Sequence, residues 1–460
     1  MNDLSKTDTL AVIYLPLSKL NPYAKNARTH SRKQISQVAD SIRILGFNVP
    51  ILVDEDFTVL AGHARIEAAK SLGLEKVPCV RLSHMNRAQK KAFVLADNKL
   101  ALNAGWDEEL LSIELNDLIK LDKEFEIGVV GFSSAEIDTL LDSMAFEEPG
   151  NPKEDRLPPV AEAAVSSNGD LWILGPHRLL CGSALSGEDC ERLMGGVKAQ
   201  MVITDPPYNV PIAGHVSGLG RIRHREFAAA SGEMTPAEFT TFLGSAFRNL
   251  AASSSDGSIH MVFMDWRHMA EVRDAGSRVY TEFKNLIVWV KDNAGMGTFY
   301  RSRHELIFVF KNGTAPHVNN FGLGRHGRYR TNVWNYKGMN SFGGKRGEEL
   351  GLHPTVKPVG LLADAIKDVS TRDSVILDLF GGSGSTLIAA HKTGRRGFLM
   401  EIDPVYCDRS IRRWQTYAKD DAILEATGQT FTEVEKERGT DKEDSEALTL
   451  SSTIRTATPG

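Results

Sequence analysis

The residues Asp205-Pro206-Pro207-Tyr208 follow directly on the apolar run Met201–Thr204. Proline lacks a backbone N–H and fixes φ, so a β-strand that reaches two consecutive prolines must end there. The pattern predicts a rigid turn at the carboxyl end of a strand, where open α/β sheets bind their ligands. At such a turn the Asp205 carboxylate and the Pro206 carbonyl can both accept hydrogen bonds from a substrate, beside the ring of Tyr208.

This turn suits an exocyclic amino group of a nucleobase. The amino nitrogen of adenine or cytosine is a poor nucleophile, because its lone pair is delocalised into the ring. Acceptors placed on its two hydrogens, the Asp205 carboxylate and the Pro206 carbonyl, would favour a tetrahedral nitrogen with an available lone pair. Stacking of the base on Tyr208 would offset roughly 1–3 kcal/mol of the cost of flipping a nucleotide. A proline turn with a surface Asp would contain the same residues, so a second motif is needed.

The second motif is a glycine-rich loop between a strand and a helix, Asp378-Leu379-Phe380-Gly381-Gly382-Ser383-Gly384-Ser385-Thr386. Glycines let the backbone adopt positive φ and approach a ligand closely, and the helix amino terminus adds unpaired N–H groups. A further strand, Arg396–Glu401, ends in a carboxylate at the spacing of about 20 residues that suits ribose hydroxyls. No Gly-Lys-Ser/Thr follows, so the loop is not a P-loop. A tight turn with a surface Glu is the alternative.

In this order the two motifs resemble the permuted beta class of DNA amino-methyltransferases, which modify adenine N6 or cytosine N4. The Asp-Pro-Pro-Tyr turn matches the family's fourth motif, and its first motif, FxGxG, is matched by Phe380, Gly382 and Gly384. The segment His353-Pro354-Thr355-Val356-Lys357-Pro358 resembles the family's HPTxKP, and Gly175–Gly182 resembles the stretch before the catalytic turn. The resemblance covers Gly169 to about Gln415.

The resemblance implies an α/β fold with a seven-stranded Rossmann-like sheet and methyl transfer from S-adenosylmethionine. It implies that Asp205, Pro206, Pro207 and Tyr208 are the catalytic set. The implied cofactor set is Asp378, Phe380, Gly382, Gly384, Ser385, Glu401, Lys357 and Ser183. Ser183 stands where the family commonly has Asp, and Leu379 where it has Pro. Asp at the first position of the catalytic turn favours adenine N6, and cytosine N4 is the alternative.

The first block of the chain resembles the ParB/sulfiredoxin-like domain, a small α+β fold. The matching segments are Leu17–Tyr23, Asn26-Ala27-Arg28, Gly62-His63-Ala64-Arg65 and Ala96-Asp97-Asn98-Lys99. In that family Gly-x-x-Arg at a helix amino terminus can bind nucleotide phosphates, and some members cut DNA or hydrolyse nucleotides. We therefore expect Arg65 to bind a nucleotide or DNA. The loose match at Asp97-Asn98 favours a binding or DNA-positioning module over an active nuclease or nucleotide hydrolase.

Composition and patterning predict four segments along the chain. They are a ParB-like domain at 9–145, a linker at 146–168, a methyltransferase domain at 169–427 and a disordered tail at 428–460. The target recognition region is expected at about 209–350, where basic residues are interleaved with glycine and aromatic residues, as in Gly220–Arg225 and Gly324–Tyr336. Such segments suit phosphate and base contacts, so the expected partner is double-stranded DNA. A homodimer is also compatible with the sequence.

The length, net charge, cysteine count and hydropathy of the chain argue against several other classes of protein. The chain has 460 residues, a formal net charge of -5 and four cysteines without a CxxC pair. This predicts a cytoplasmic protein without a disulfide framework, and the spacing of His215, His224, His304 and His353 suggests no metal site. No apolar run approaches the length of a membrane span. Cys79 follows a proline, as the nucleophile of cytosine C5 methyltransferases does, but it lies in an apolar strand of the first block.

Two functional alternatives remain from the sequence. One is a DNA-binding, partition-type protein with an inactive methylase domain, for which Gly182-Ser183 is the supporting feature. The other is methylation of RNA or of a protein glutamine. Glutamine enzymes use Asn-Pro-Pro-Tyr, so Asp205 argues against the glutamine reading.

Overall fold

The computed structural model describes residues 10–121, 125–144, 154–159, 163–210, 232–292, 294, 299–324, 328–338 and 356–439. The chain divides into two compact units, Met1–Ala145 and Phe146–Gly460. The basic segment Arg221–Arg225 and His353–Thr355 lie outside the described residues.

The first unit is a small α+β domain, as predicted. Its elements are β1 Val12–Pro16, α1 Arg32–Leu45, β2 Ile51–Val53, β3 Val59–Ala61, α2 His63–Ser71, β4 Lys76–Arg81, α3 Arg87–Ala101, α4 Glu108–Leu121 and α5 Ser134–Met144. The strands form a four-stranded sheet in the order β1-β4-β2-β3. Ser31 caps α1 by accepting from the Gln34 N–H, because its side chain satisfies one of the unpaired donors of the first turn.

The second unit alternates strands and helices. Its strands are β5 Leu171–Leu174, β6 His177–Cys181, β7 Ala199–Thr204, β8 Ser254–Met264, β9 Glu282–Val290, β10 His304–Lys311, β11 Val333–Asn335, β12 Val375–Asp378, β13 Arg396–Glu401 and β14 Ile423–Leu424. Its helices are α6 Gly187–Met194, α7 Pro236–Ala252, α8 Met269–Ser277, α9 Val359–Val369, α10 Ser385–Lys392 and α11 Pro404–Ala418.

The strands of this unit form one mixed sheet, in the order β11-β9-β10-β8-β7-β12-β13-β6-β5-β14. Seven neighbouring strands, from β9 to β6, run parallel except for β10, which is antiparallel to both β8 and β9. They are the seven-stranded sheet that the resemblance implies. The chain leaves β7 toward β8 and leaves β12 toward β13, on opposite sides. The carboxyl ends of β7 and β12 therefore flank the point where the strand order reverses, which is where such sheets bind ligands.

Helices cover both faces of the sheet. Successive residues of a strand point to opposite faces, so Val202 packs toward α6, α7 and α8, whereas Ile203 packs toward α9, α10 and α11. Ile376 and Leu377 on β12 divide between the two layers in the same way. Burial on both faces explains why β7 and β12 have almost continuous apolar sequences.

Part of the predicted linker packs on the second unit. The Asp408 carboxylate accepts from the N–H groups of Val165 and Ser166, at 2.6 and 2.9 Å, and both residues are buried. The end of the segment 146–168, which is predicted as a linker, is therefore part of the folded second unit, because the Asp408 side chain of α11 satisfies its backbone.

Two other boundaries also differ from prediction. Residues 431–439 are helical, with Phe431 and Val434 buried, so the predicted tail at 428–460 is too long. The sequence contained a sign of this helix: Thr430 and Glu433 form reciprocal capping hydrogen bonds. The predicted recognition region at 209–350 is also too broad, because β8, β9 and β10 belong to the buried sheet.

Candidate active site

Asp378 joins the glycine-rich loop to the neighbouring strand. Its carboxylate accepts from the hydroxyls of Thr204 and Thr386, at 2.8 and 2.7 Å, and from the N–H of Phe380 at 3.0 Å. Burial raises the pKa of Asp378 to about 6, against these hydrogen bonds. The side chain thus ties the end of β7 to the start of α10, and it positions the loop.

The loop depends on glycine at two positions. Gly382 and Gly384 have φ of +52° and +77°, a region that other residues adopt rarely. A Cβ at Gly384 would also lie 2.9 Å from the Ser410 hydroxyl oxygen. These residues let the chain turn tightly into α10.

Glu401 closes the loop from β13. Its carboxylate accepts from the N–H groups of Gly382 and Asp403, at 2.8 and 2.9 Å. Burial raises the pKa of Glu401 to about 7, although these hydrogen bonds oppose the effect. A carboxylate that closes a glycine loop in this way is the expected partner for ribose hydroxyls.

The predicted site residues surround one cavity at the carboxyl ends of β7 and β12. The cavity is lined by eleven of the twelve: Ser183, Asp205, Pro206, Pro207, Tyr208, Lys357, Asp378, Phe380, Gly382, Ser385 and Glu401. The twelfth, Gly384, is the residue before α10 and packs on Ser410 instead.

The cavity has the chemistry that S-adenosylmethionine requires. Apolar side chains, among them Ile203, Val356, Phe380 and Ile402, form most of its wall and can accept an adenine ring. Carboxylates lie on the same wall, namely Asp205, Asp378, Glu401 and Asp403, and they suit a ligand that carries positive charge. A Cβ at Gly182 would meet the Asp189 carboxylate at 2.9 Å, so the wall needs glycine there.

The Asp205–Tyr208 turn is hydrogen-bonded to residues from distant parts of the chain. The Tyr208 hydroxyl donates to Asp205 Oδ1 at 2.6 Å, and the Lys357 ammonium donates to Asp205 Oδ2 at 2.6 Å. Lys357 also forms an ion pair with Glu305 at 3.2 Å, and the Tyr208 hydroxyl reaches the same Glu305 oxygen at 3.2 Å. Lys291 binds the other oxygen of Glu305.

Burial and the neighbouring charges have opposite effects on the pKa values of the side chains in this cluster. Burial raises the pKa of Asp205, while the Lys357 ammonium opposes that rise. Burial alone would raise the pKa of Glu305, but Lys357 and Lys291 lower it to about 2. Burial would lower the pKa of Lys357, yet the two carboxylates hold it above its ordinary value. The cluster therefore keeps Glu305 ionised and Lys357 protonated.

Three residues make contacts that the sequence did not predict. Lys357 is predicted in the cofactor set, and its ammonium donates to Asp205, which is predicted in the catalytic set. Ser183 accepts from the Leu185 N–H, while Asp189 accepts from the Ser183 N–H. Glu305 was not predicted as a site residue. Its only sign in the sequence is a carboxylate at the start of the otherwise apolar run Leu306–Phe310.

The expectation of DNA contacts does not hold for two arginines before β11. Arg328 and Arg330 donate to the buried Asp368 of α9, at 2.9 and 2.8 Å, and only 9% and 18% of their side chains are exposed. Trp334 is buried, and the Tyr336 hydroxyl donates to Asp364 at 2.5 Å. These side chains attach the segment to α9.

In the first unit, Arg65 donates to the carbonyl of Val49 at 3.0 Å. The nucleotide or DNA binding expected at Arg65 stays a prediction. Cys79 is fully buried in β4.

Among the described residues no group of His, Cys, Asp and Glu could hold a metal ion. Within the same ranges, none of the helices has the length and hydropathy needed to cross a membrane.

Comparison with protein families matches three domains along the chain. The model of the DNA methylase family (N6/N4 class) matches residues 199–412, which hold the catalytic turn and the glycine loop. Residues 199–412 therefore form a domain of the N6/N4 DNA methylase family. The ParB N-terminal domain matches residues 1–99, and a ParB-methyltransferase helix-turn-helix domain matches residues 109–168. This helix-turn-helix domain overlaps the end of the predicted ParB-like domain and the predicted linker, and it was not predicted as a separate domain.

Each of the following relatives is similar to one part of the chain. The ParB-like nuclease domain-containing protein YnaK of Escherichia coli (strain K12) is 42% identical over 85 residues, which are 18% of this chain and 98% of that protein. The type II methyltransferase M2.MboI of Moraxella bovis is 30% identical over 137 residues, 28% of this chain and 49% of that protein. The crystal structure of M1.HpyAVI has a TM-score of 0.36 at 17% identity, covering 51% of this chain and 96% of that one.

Proposed function

We propose that this DNA methylase transfers a methyl group to N6 of adenine in double-stranded DNA. The observation that carries the proposal is the Asp205 carboxylate, which sits on the cavity wall at the carboxyl end of β7 with the ring of Tyr208 beside it. Asp at this position favours adenine over cytosine in the family. The cofactor is S-adenosylmethionine, which supplies a methyl group on a positively charged sulfur.

The residues of the chain prepare the amino group for attack. Asp205 and the Pro206 carbonyl would accept its two hydrogens, so the nitrogen lone pair becomes available for the methyl group. Tyr208 would stack on the flipped base, and Lys357 stabilises the ionised form of Asp205. Glu401 and the glycine loop would hold the ribose, while the apolar wall excludes water from the reacting atoms.

The test is methyl transfer from labelled cofactor to duplex DNA, followed by digestion and identification of the methylated nucleoside. We expect N6-methyladenine. We expect Asp205→Ala to reduce the single-turnover rate by at least 10²–10³-fold, because it removes the acceptor used in the transition state. Asp205→Asn, which keeps the shape of the side chain, and cofactor binding by both variants serve as controls for folding.

The other outcomes separate the alternatives. N4-methylcytosine as the product would contradict the adenine assignment alone. Transfer to RNA or to a peptide, but not to duplex DNA, would reassign the substrate. Binding of DNA without methyl transfer to any acceptor would support the partition-type reading and reject the catalytic one.

A further inference from the structure

Both oxygens of the Asp205 carboxylate already have partners in this structure. The Tyr208 hydroxyl is bonded to Oδ1 and the Lys357 ammonium to Oδ2, each at 2.6 Å. An ammonium has three hydrogens, whereas a hydroxyl has one. Each carboxylate oxygen has two lone pairs, so a target amino group that donates to Oδ1 competes with Tyr208 for this oxygen, and a Tyr208 hydrogen that it displaces needs another acceptor. A buried donor left without an acceptor is unfavourable.

Glu305 lies at the position where that acceptor is needed. Its Oε2 is 3.2 Å from the Tyr208 hydroxyl and 3.2 Å from the Lys357 ammonium. Lys291 binds its Oε1, and only 15% of its side chain is exposed. Glu305 is held by β10, which is separated from the catalytic strand β7 by β8. A second, ionised acceptor thus stands beside the catalytic one without lining the cavity.

We propose that Glu305 is a positioning residue, which accepts the Tyr208 hydroxyl hydrogen and shares the Lys357 ammonium when Asp205 accepts the target amino group. The proposal rests on the proposed function. It requires no new covalent bond, because one hydrogen changes its acceptor and the Tyr208 ring keeps its place for stacking. The charges remain balanced, since Asp205 and Glu305 face Lys357 and Lys291.

A double-mutant cycle tests the exchange of acceptors. Glu305→Gln is nearly isosteric, and Glu305→Met combined with Lys291→Met removes the second acceptor together with its counter-charge. Each is made alone and with Tyr208→Phe, and the single-turnover rate is measured at saturating cofactor and DNA. We expect at least one of the two to lose 10-fold or more in rate with Tyr208 present. In the Tyr208→Phe background, where no hydroxyl needs an acceptor, that loss should shrink at least threefold.

The pH dependence of the rate supplies a readout that a purely structural role would not change. Asp205 faces Lys357, Tyr208, Glu305 and Asp378, and the Glu305 charge contributes to the raised pKa of Asp205. Glu305→Gln should therefore lower the pKa of Asp205 and move the acidic limb of the rate profile to lower pH. Glu282→Gln is the matched control, because Glu282 forms an exposed ion pair with Lys284 on β9. This control variant should change neither the rate nor the pH of the acidic limb.

Three results would overturn the inference. They are no loss of rate in either Glu305 variant, the same loss with and without the Tyr208 hydroxyl, and a rate reduced equally at every pH. Failure of the unaltered protein to methylate any DNA would instead reject the proposed function, so the two failures are distinguishable.

Discussion

Asp378 and Glu401 end adjacent parallel strands, yet their partners give them different tasks. The Asp378 carboxylate accepts from two hydroxyls and one N–H of the chain itself. Glu401 accepts from two backbone N–H groups and lies on the cavity wall. A carboxylate has about four lone-pair positions, so Glu401 retains acceptor capacity for a ligand. Asp378 therefore stabilises the glycine-rich loop, and Glu401 is the better candidate for binding ribose hydroxyls.

Because burial raises the pKa of Glu401 to about 7, cofactor affinity should depend on pH near neutrality. Ribose hydroxyls donate best to the ionised carboxylate, so binding favours deprotonation of Glu401. Affinity should consequently be full above pH 7 and fall as the pH drops below 7, by up to about tenfold per unit. Isothermal titration with S-adenosylmethionine between pH 5.5 and 8.5 measures this change.

Glu401→Gln is the matched control for this titration, since the amide keeps one acceptor oxygen but does not ionise. The variant should bind more weakly at pH 8 and lack the part of the pH dependence that belongs to Glu401. Any pH dependence from the cofactor itself is shared by both proteins. If affinity changed with pH in the same way for both proteins, Glu401 would not be the ionisable group that binds the ribose.

At the scale of elements, the segment before β11 is attached to α9 by buried ion pairs. Arg328 and Arg330 both bind Asp368, and both also form ion pairs with Asp364. Helix α9 starts two residues after Lys357, the residue that contacts Asp205. The ion pairs thus fix the edge of the sheet next to the catalytic cluster.

We expect Arg328→Met to act on stability and not on DNA binding. Loss of one partner leaves part of the Asp368 charge uncompensated, and breaking a buried pair in this way costs roughly 3–5 kcal/mol. Chemical denaturation should show the loss in the second unit. The slope of log affinity for DNA against log salt concentration should stay unchanged, because a lost phosphate contact would reduce it by about 1. A reduced slope with unchanged stability would restore Arg328 as a DNA contact.

Sequence patterns predicted those features that depend on neighbouring residues. Two prolines had to end β7, and the glycines after β12 had to form a turn, so the two chemical motifs fell correctly on strand ends. Glu305 and Arg328 could not be assigned, because their partners lie 52 and 40 residues away, at Lys357 and Asp368. A charged residue has the same appearance in a sequence whether it faces water, a phosphate or a buried counter-ion.

At the scale of the whole chain, residues 165–172 near the start of the methylase unit contact residues 431–438 near its end. Arg438 donates to the Asp170 carboxylate at 2.5 Å and to the carbonyl of Val165 at 2.6 Å. The ring of Phe431 lies 5.2 Å from that of Trp172 on β5. In this order the Asp205–Tyr208 turn precedes the glycine loop, and residues 431–439 return to pack beside β5, the first strand of the unit. Residues 431–439 therefore contribute to the fold of this unit.

Removal of residues 429–460 should accordingly destabilise the methylase unit. It exposes the pocket of Phe431 and Val434, both 2% exposed, and burial of each side chain contributes about 1.5–3 kcal/mol. The midpoint of thermal unfolding for this unit should fall by roughly 6–24 °C, at about 2–4 °C for each kcal/mol lost. Removal of 441–460 takes away none of the described contacts and is the control, while Phe431→Ala should reproduce part of the loss. If the two truncated proteins unfolded at the same temperature, residues 431–439 would not stabilise the sheet.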